Sequence, residues 1–406
     1  MRAGYGKWEL TPPMGVELAG YGYYLGRCAL SVRDPLYARA VILETEDARS
    51  LIISCDLLGL SKSVCAEVFA HAAQYGFSPD QIIIVSIHTH TGPTIKYHEG
   101  CGFVNDDYVA TVGGLICRAV DAAAEDLGEV TGIRQVFEPF TGDHIYNRTV
   151  KDGPVDRFMR GFMLDRADKP AISMVNAACH GVFRGRVTAV SADFAGEINR
   201  LMEEKGCQSI YLNGLCGDID PYKPTDERLV EFAHIAVNAF RDEKELPLTL
   251  STGALPFTLR LTSVTKEEIQ GAAAHAVEKE GGPDTPAARV ALTWEREMLE
   301  KLDTLRDTED IVCKYVILGG VPVLALPFEG FTRIGQEVRE IIGRPDCLVL
   351  GCGEELLGYL PTKDDIARGA YAALESTFLY KRLPVVPGEA ERLGVEMGQA
   401  LGGLLK

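Results

Sequence analysis

The chain has 406 residues, of which 46% are hydrophobic and 24% charged, a balance typical of folded globular proteins rather than disordered ones. Its 58 acidic residues outnumber its 41 basic ones and give a net charge of −17, and no cluster of Lys and Arg could follow a phosphate backbone. Nucleic acids and anionic membrane surfaces are therefore not expected as partners.

The cysteines and the apolar segments bear on the expected compartment. Eleven cysteines are scattered along the chain without a CxxC pair, which favours reduced thiols. The longest apolar run, residues 316–328, is interrupted by Gly and Pro and is too short to span a bilayer, and no signal-peptide pattern opens the sequence. We expect a cytoplasmic protein with a small-molecule substrate and no membrane partner, and the sequence leaves a homo-oligomer open.

In chain order, short apolar runs alternate with amphipathic segments, which is typical of a sheet flanked by helices. Six segments have helical spacing: 62–74, 107–126, 194–204, 228–240, 265–280 and 286–305. The last two are charged and separated by Gly-Gly-Pro-Asp-Thr-Pro, which predicts a helical hairpin inserted at about 265–305. The expected fold class is α/β, a mixed β-sheet core flanked by helices.

Five predicted strands end at polar residues beside Gly or Pro. The strands cover 82–87, 171–179, 209–212, 321–328 and 347–351. The polar residues that follow them are His88 and His90, His180, Asn213 with Asp218 and Asp220, Glu329, and Tyr359. In α/β proteins ligands bind where strand ends and loops meet, so the sequence predicts one site built from these loops.

The histidines and Glu329 suggest a metal. In an extended strand, His88 and His90 would share a face, which suits a metal or a ligand beside an acid; the structural alternative is a pair of hydrogen-bonded histidines at a strand end. His180 would add a second nitrogen ligand. Glu329, whose carboxylate would be costly to bury unpaired, would complete the three protein ligands of a catalytic zinc site.

The loop Asn-Gly-Leu-Cys-Gly-Asp-Ile-Asp-Pro, residues 213–221, allows two interpretations. Its oxygen spacing does not fit an EF-hand. Asn213, Asp218 and Asp220 would either contact the substrate or cap a turn.

The order of these motifs resembles the catalytic domain of the neutral ceramidases, the neutral/alkaline non-lysosomal ceramidase family. The segments that carry the resemblance include AGYGKWELTPPMGVELAGYG, HTHTGP, YNRT, CHG, NGLCGDIDP, LPFEGFT and GYLPT. The resemblance extends from about residue 3 to the end of the chain. It implies a single catalytic domain over residues 1–406, without the C-terminal β-sandwich of the ceramidases.

The resemblance also implies roles for individual residues. It implies a Zn²⁺ ion held by His88, His180, Glu329 and Tyr359. It implies that the scissile carbonyl group is held and polarised by His90, Arg148 and Tyr371. Without the resemblance, Tyr359 would be assigned to a loop, Arg148 to the surface and Tyr371 to the core side of a helix. His90 is also the expected proton shuttle to the leaving amine.

The chain departs from the family pattern at Asp220, where the ceramidases carry a Ser over the substrate's headgroup. The ceramidases it resembles also have a signal sequence, which is not seen here. We therefore expect a zinc-dependent hydrolase that cleaves a carboxamide (N-acyl) bond of a soluble polar substrate and is not a true ceramidase. The alternatives are an amidohydrolase-type metal barrel, a metal-dependent lyase or esterase on the same scaffold, and an inactive homologue that keeps the metal and binds a ligand.

Overall fold

The computed structural model describes residues 1–241 and 244–405. The strands are β1 (Arg2–Glu9), β2 (Ser31–Val32), β3 (Tyr37–Glu44), β4 (Arg49–Cys55), β5 (Ile82–Ser86), β6 (Gly128–Pro139), β7 (Ile145–Asn147), β8 (Phe158–Arg166), β9 (Ile172–Ala177), β10 (Ala189–Val190), β11 (Gln208–Asn213), β12 (Ile219–Pro221), β13 (Lys244–Leu246), β14 (Leu250–Arg260), β15 (Thr308–Leu318), β16 (Val321–Ala325), β17 (Glu329–Gly330), β18 (Leu348–Leu350) and β19 (Tyr359–Leu360). The helices are α1 (Lys62–Ala72), α2 (Asp106–Glu125), α3 (Asp193–Glu204), α4 (Asp226–Asn238), α5 (Lys266–Lys279), α6 (Pro286–Glu300), α7 (Thr332–Ile342), α8 (Lys363–Ala367), α9 (Glu375–Tyr380) and α10 (Glu389–Leu404).

Two open sheets form the centre of the molecule. The larger has nine strands in the order β11-β9-β8-β6-β1-β3-β4-β5, with β13 also paired to β6. The smaller has the order β14-β15-β16-β18. Both sheets are mixed: β4 and β5, β9 and β11, and β16 and β18 run parallel, and their other neighbours run antiparallel.

The alternation of side chains along a strand builds four layers. In β4, Ile52 packs between the two sheets, in a cluster with Val323 and Leu350 of the smaller sheet. Its neighbour Ile53 points to the opposite face and packs in the cluster formed with helices α1 to α4. The outer face of the smaller sheet is covered by α5, α6, α7, α9 and α10. The layers are therefore helices, large sheet, small sheet and helices.

The predicted fold class, including the helical hairpin, is confirmed. Both hairpin helices are capped at their N-termini by threonine side chains, α5 by Thr265 and α6 by Thr285. Trp294 anchors the hairpin, because it is fully buried with its ring 4.8 Å from that of Phe378. Two open, packed sheets also differ from the single closed barrel of the amidohydrolase alternative.

Two smaller observations concern the expected compartment. Within residues 1–241 and 244–405, no helix combines the length and the apolar character needed to cross a membrane. The eleven cysteines are unpaired, as expected for reduced thiols.

Candidate active site

The segment that carries His88 and His90 is a loop, which differs from the predicted extended strand. Strand β5 ends at Ser86, and His88 has a φ of 61°. Instead of continuing the strand, the His88 amide donates to Leu57 O and the His90 amide to Gly181 O. A histidine in the left-handed region is strained, and such strain is concentrated at functional sites.

Backbone carbonyls orient two of the histidines. His88 Nδ1 lies 2.7 Å from Leu58 O, and His180 Nδ1 lies 2.6 Å from Cys216 O. Because a carbonyl oxygen only accepts, both Nδ1 atoms carry the hydrogen, which leaves Nε2 of each ring as the atom that a metal ion would bind. Both Nε2 atoms face Glu329 Oε2, at 3.1 Å from His88 and 3.2 Å from His180.

This arrangement fits a metal ion. Two nitrogen lone pairs and a carboxylate oxygen that face one another in a buried site repel unless a cation or a proton lies among them. His88 Nε2 is buried and makes no hydrogen bond of good geometry in the described structure. One nitrogen each of His88, His90 and His180 lies within 4.8 Å of the others. Imidazole and carboxylate ligands in this combination suit zinc.

Glu329 and Tyr359 are brought together by a short parallel pair of strands. Strand β17 pairs with β19 so that Glu329 lies directly opposite Tyr359. Arg148 Nη2 donates to Tyr359 Oη at 3.0 Å. Burial and the neighbouring Glu329 raise the pKa of Tyr359 well above its ordinary value, and the charge of Arg148 opposes this rise. The geometry thus places all four predicted metal ligands beside one another.

Sequence reasoning missed Tyr380, which contacts the same carboxylate. Tyr380 Oη donates to Glu329 Oε1 at 2.5 Å. Its ring lies edge-on to His98, with the ring centroids 4.6 Å apart. Tyr380 ends helix α9, far along the chain from Glu329, so no strand end or motif identifies it in the sequence.

The predicted catalytic residues also meet here. His90 is buried, and neither of its ring nitrogens has a hydrogen-bond partner among the described residues. Burial, together with His88 and His180, lowers the pKa of His90 well below its ordinary value, which keeps the ring neutral. Tyr371 lies in a turn rather than in the helix core, and its ring centroid is 5.8 Å from that of Tyr359.

Asp220 is paired with Arg148 inside the protein. Its Oδ1 atom lies 3.3 Å from Arg148 Nη1, which also anchors the arginine predicted to polarise the carbonyl group. Arg148 further donates from Nη2 to Gly217 O at 2.9 Å. The Asp220 carboxylate therefore already has a cationic partner before any substrate binds.

The hydrogen bonds of Asn213 and Asp218 stabilise the loop in which they lie. Asp218 Oδ1 accepts from the backbone amide and the hydroxyl of Thr332, both at 2.8 Å, and Oδ2 accepts from Asn147 Nδ2. Asn213 is fully buried and donates to Cys216 Sγ. Neither is among the described residues that line the cavities beside the histidines. The geometry therefore does not support substrate contact by these two residues.

Two neighbouring chambers adjoin the histidines. The inner chamber has a volume of about 60 Å³ and mostly buried walls, which include His88, His90, His98, Ile95, Leu356, Leu379 and Tyr380. The outer chamber has a volume of about 370 Å³ and opens to solvent, with walls that include Tyr21, His90, Arg148, Arg186, Asp220 and Tyr371. The chambers share His90, Tyr359 and Tyr371, so a molecule bound at the histidines can extend into both.

Comparison with known proteins connects this geometry to a family. Residues 1–134 match the family model "Neutral/alkaline non-lysosomal ceramidase, N-terminal". The fold matches the crystal structure of neutral ceramidase from Pseudomonas aeruginosa, with a TM-score of 0.74, 15% identity, and coverage of 99% of this chain and 74% of that one. It also matches a structure of a ceramidase complexed with C2, with a TM-score of 0.71, 15% identity, and coverage of 99% and 75%. No curated protein sequence matches the chain. The predicted resemblance to the neutral ceramidase family is thus confirmed: residues 1–134 match the family model, and nearly the whole chain shares the fold of a neutral ceramidase.

Proposed function

We propose that this protein is a metal-dependent hydrolase that cleaves the carboxamide (N-acyl) bond of a small, soluble substrate. The observation that carries the proposal is that Glu329 Oε2 lies within 3.2 Å of both His88 Nε2 and His180 Nε2. The chamber beside these atoms is lined by Arg148 and by His90, whose ring nitrogens make no hydrogen bond with the described residues. The match of residues 1–134 to the neutral/alkaline ceramidase family model supports the reaction class.

The proposed ion is zinc, held by His88, His180, Glu329 and Tyr359. A bound zinc ion lowers the pKa of water toward neutrality and stabilises the negative charge that develops on a carbonyl oxygen. The carbonyl contacts at Nδ1 fix the rings of His88 and His180, and Tyr380 fixes the Glu329 carboxylate. These second contacts hold the ligand atoms in place before a metal arrives.

The remaining residues have roles that follow from their contacts. His90 is neutral and both its nitrogens are unbonded, so the ring can accept a proton and deliver it to the departing amine. Arg148, fixed by Gly217 O and Asp220, presents a guanidinium group beside Tyr359, where it can donate to an acyl oxygen. Tyr371, 40% exposed, can close over the substrate from the outer chamber.

The proposed substrate is smaller than ceramide. The inner chamber, at about 60 Å³, is much smaller than the outer one, at about 370 Å³. We therefore propose that it takes a short acyl group rather than a long acyl chain. The polar walls of the outer chamber, which include Arg148, Arg186 and Asp220, also favour a polar substrate over a lipid. We therefore propose a small, water-soluble substrate, and an enzyme that is not a true ceramidase.

A panel of N-acetyl amino acids, N-acyl amines and N-acetyl sugars, incubated with zinc-loaded protein, tests the proposal. We expect acetate release from at least one class, its loss after chelation, and its recovery with added zinc. His180→Ala should lose both the metal, measured by elemental analysis, and the activity. His71→Ala, a surface histidine that contacts Asp121, is the control and should keep both. Tight metal binding without hydrolysis of any compound would indicate a ligand-binding homologue, and metal content unchanged by His180→Ala would refute the site.

A further inference from the structure

The outer chamber has an excess of positive charge. Its lining holds two guanidinium groups, Arg148 and Arg186, and one carboxylate, Asp220. Arg148 and Asp220 are 3.3 Å apart and balance each other. Arg186 has no such partner in the lining of the chamber and is therefore its uncompensated charge.

Arg186 is positioned by aromatic rings rather than by a carboxylate. Its guanidinium carbon lies 5.3 Å from the ring centroid of Tyr21 and 5.2 Å from that of Tyr24. Within the described chain, no Asp or Glu oxygen lies within ion-pairing distance of it. Stacking on tyrosines holds the planar group while leaving its N–H donors free for another molecule.

The loop that carries Arg186 is fixed on both sides. On one side, Asp193 accepts from the backbone amides of Phe183 at 3.2 Å and Arg184 at 2.9 Å. On the other side, the carbonyl oxygen of Val187 accepts from Arg27 Nη1 at 2.9 Å. A side chain on a loop held in this way is pre-organised, so binding a ligand costs less conformational entropy.

The Tyr21 ring links this cation to the reacting centre. Its centroid is 5.1 Å from that of His90 in an edge-on contact. The same ring therefore touches both the predicted proton shuttle and Arg186. A substrate that reaches Arg186 from the histidines stays within one chamber along the face of Tyr21.

We propose that Arg186 binds a singly charged carboxylate at the far end of the substrate from the scissile bond. A single guanidinium fork matches one carboxylate in geometry and charge. The acyl group would occupy the small apolar inner chamber, and the amine part, which carries the carboxylate, would occupy the outer one. The substrate class is therefore short-chain N-acyl amino acids, an inference that rests on the proposed amide hydrolysis.

The test compares N-acetyl-L-alanine with N-acetyl-L-alaninamide, which has the same shape without the charge. Binding to metal-free protein is measured by calorimetry, and acetate release is measured with zinc-loaded protein. We expect the carboxylate compound to bind and react about tenfold better than the amide, as is typical of one charge-assisted contact. Arg186→Gln should abolish this ratio, and Arg186→Lys should restore part of it.

Controls separate the inference from the proposed function. Arg289→Gln, an exposed arginine on α6, should leave the ratio unchanged. A carboxylate preference in binding that depends on Arg186, without acetate release from either compound, would keep the anion site and refute the hydrolase. Acetate release with equal preference for the two compounds, or a preference that survives Arg186→Gln, would refute the anion site, and so would a failure of both compounds to bind.

Discussion

Tyr380 illustrates how a residue with no sequence signal can control a metal site. Its hydroxyl donates to Glu329 Oε1, while Glu329 Oε2 faces the two histidines. With Oε1 held, the carboxylate keeps a single orientation, in which Oε2 is directed at the two histidines. A bond of this kind fixes the ligand and typically changes metal affinity by about 10- to 100-fold.

We predict that Tyr380→Phe lowers zinc affinity by about that factor while the fold is retained. The measurement is competition for zinc with a chelator of known affinity, together with the thermal midpoint of the metal-free protein. Tyr75→Phe is a matched control, because Tyr75 donates to Asp121 at 2.7 Å on the surface, away from the site. Equal zinc affinity in both variants would show that Tyr380 does not position Glu329.

Two residues, Tyr359 and His90, are candidates for the fourth metal ligand. The resemblance to the family implies Tyr359, whereas the nitrogens of His88, His90 and His180 lie within 4.8 Å of one another. The hydrogen bond that Arg148 donates to Tyr359 Oη orients this oxygen in the site and favours Tyr359 as the fourth ligand.

We therefore predict that His90→Ala retains zinc but lowers turnover by about 100-fold or more, as expected for loss of a general acid and base. Tyr359→Phe should lose zinc. Elemental analysis and turnover of both variants are measured on the same protein preparations. If His90→Ala loses the ion and Tyr359→Phe retains it, the roles of the two residues must be exchanged.

The sequence predicts those residues of the site that directly follow the end of an apolar strand. His88, His180 and Glu329 each follow an apolar run, which the sequence displays directly. The pairing of Asp220 with Arg148 was not predictable, because it requires β7 and β12 to lie side by side. Because Asp220 is paired with Arg148, Arg186 is the charged side chain of the chamber that remains available to a substrate.

Among the elements, the loops differ from prediction more than the strands and helices. The helices and the sheet strands follow hydrophobic periodicity, which is local in sequence. The His88 loop does not, because its conformation is set by amide bonds to Leu57 and Gly181 on other elements. The spacing of HTHTGP therefore pointed to the candidate ligand His88, but not to the backbone conformation that presents it.

The loop at Gly20 packs against the ring of His90. Gly20 has a φ of +100°, and a Cβ atom added there would lie 2.4 Å from His90 Cγ. Gly15, with a φ of +87°, has open space around its own added Cβ. Alanine is strained at both positions, by about 1–2 kcal/mol, but only at Gly20 does it also displace His90.

We predict that Gly20→Ala and Gly15→Ala lose similar stability from the backbone conformation, and that only Gly20→Ala loses most of the activity. Stability is measured by urea unfolding, and activity by turnover on the best substrate of the panel. The comparison isolates the contact with His90 from the strain of the backbone. Similar activities in the two variants would mean that His90 tolerates displacement or is not needed.

For the whole molecule, the four layers explain why the site lies where it does. β5 and β9 belong to the large sheet, whereas Glu329 follows β16 of the small sheet. The histidines thus come from one sheet and the carboxylate from the other, and the site forms only when the two sheets pack. The alternation of apolar runs and helices predicted both sheet and helix content, but the partition of strands into two sheets depends on pairings between distant segments.

The same packing sets the size of the inner chamber, and with it the acyl length that the enzyme accepts. Leu356 is fully buried in its wall, and Leu379 closes another side from α9. Since this chamber is the smaller of the two, we predict that N-acetyl compounds are hydrolysed at least about 100-fold faster than their N-palmitoyl counterparts and that ceramide is a poor substrate.

Leu356→Ala should enlarge the chamber and move the optimum chain length upward by a few carbons, which kcat/KM across an acyl series from two to eight carbons would measure. Removal of a buried leucine costs about 2–5 kcal/mol, so the thermal midpoint is measured in parallel, and Leu379→Ala tests a second wall if the first variant does not fold. Leu292→Ala, on the exposed side of α6, is the control and should leave the series unchanged. Because the wall is built from side chains rather than from the metal ligands, a changed chain-length profile with unchanged zinc content would assign acyl selectivity to this chamber. A profile that does not move in either wall variant, or efficient turnover of ceramide by the unmodified enzyme, would show that the acyl group binds elsewhere.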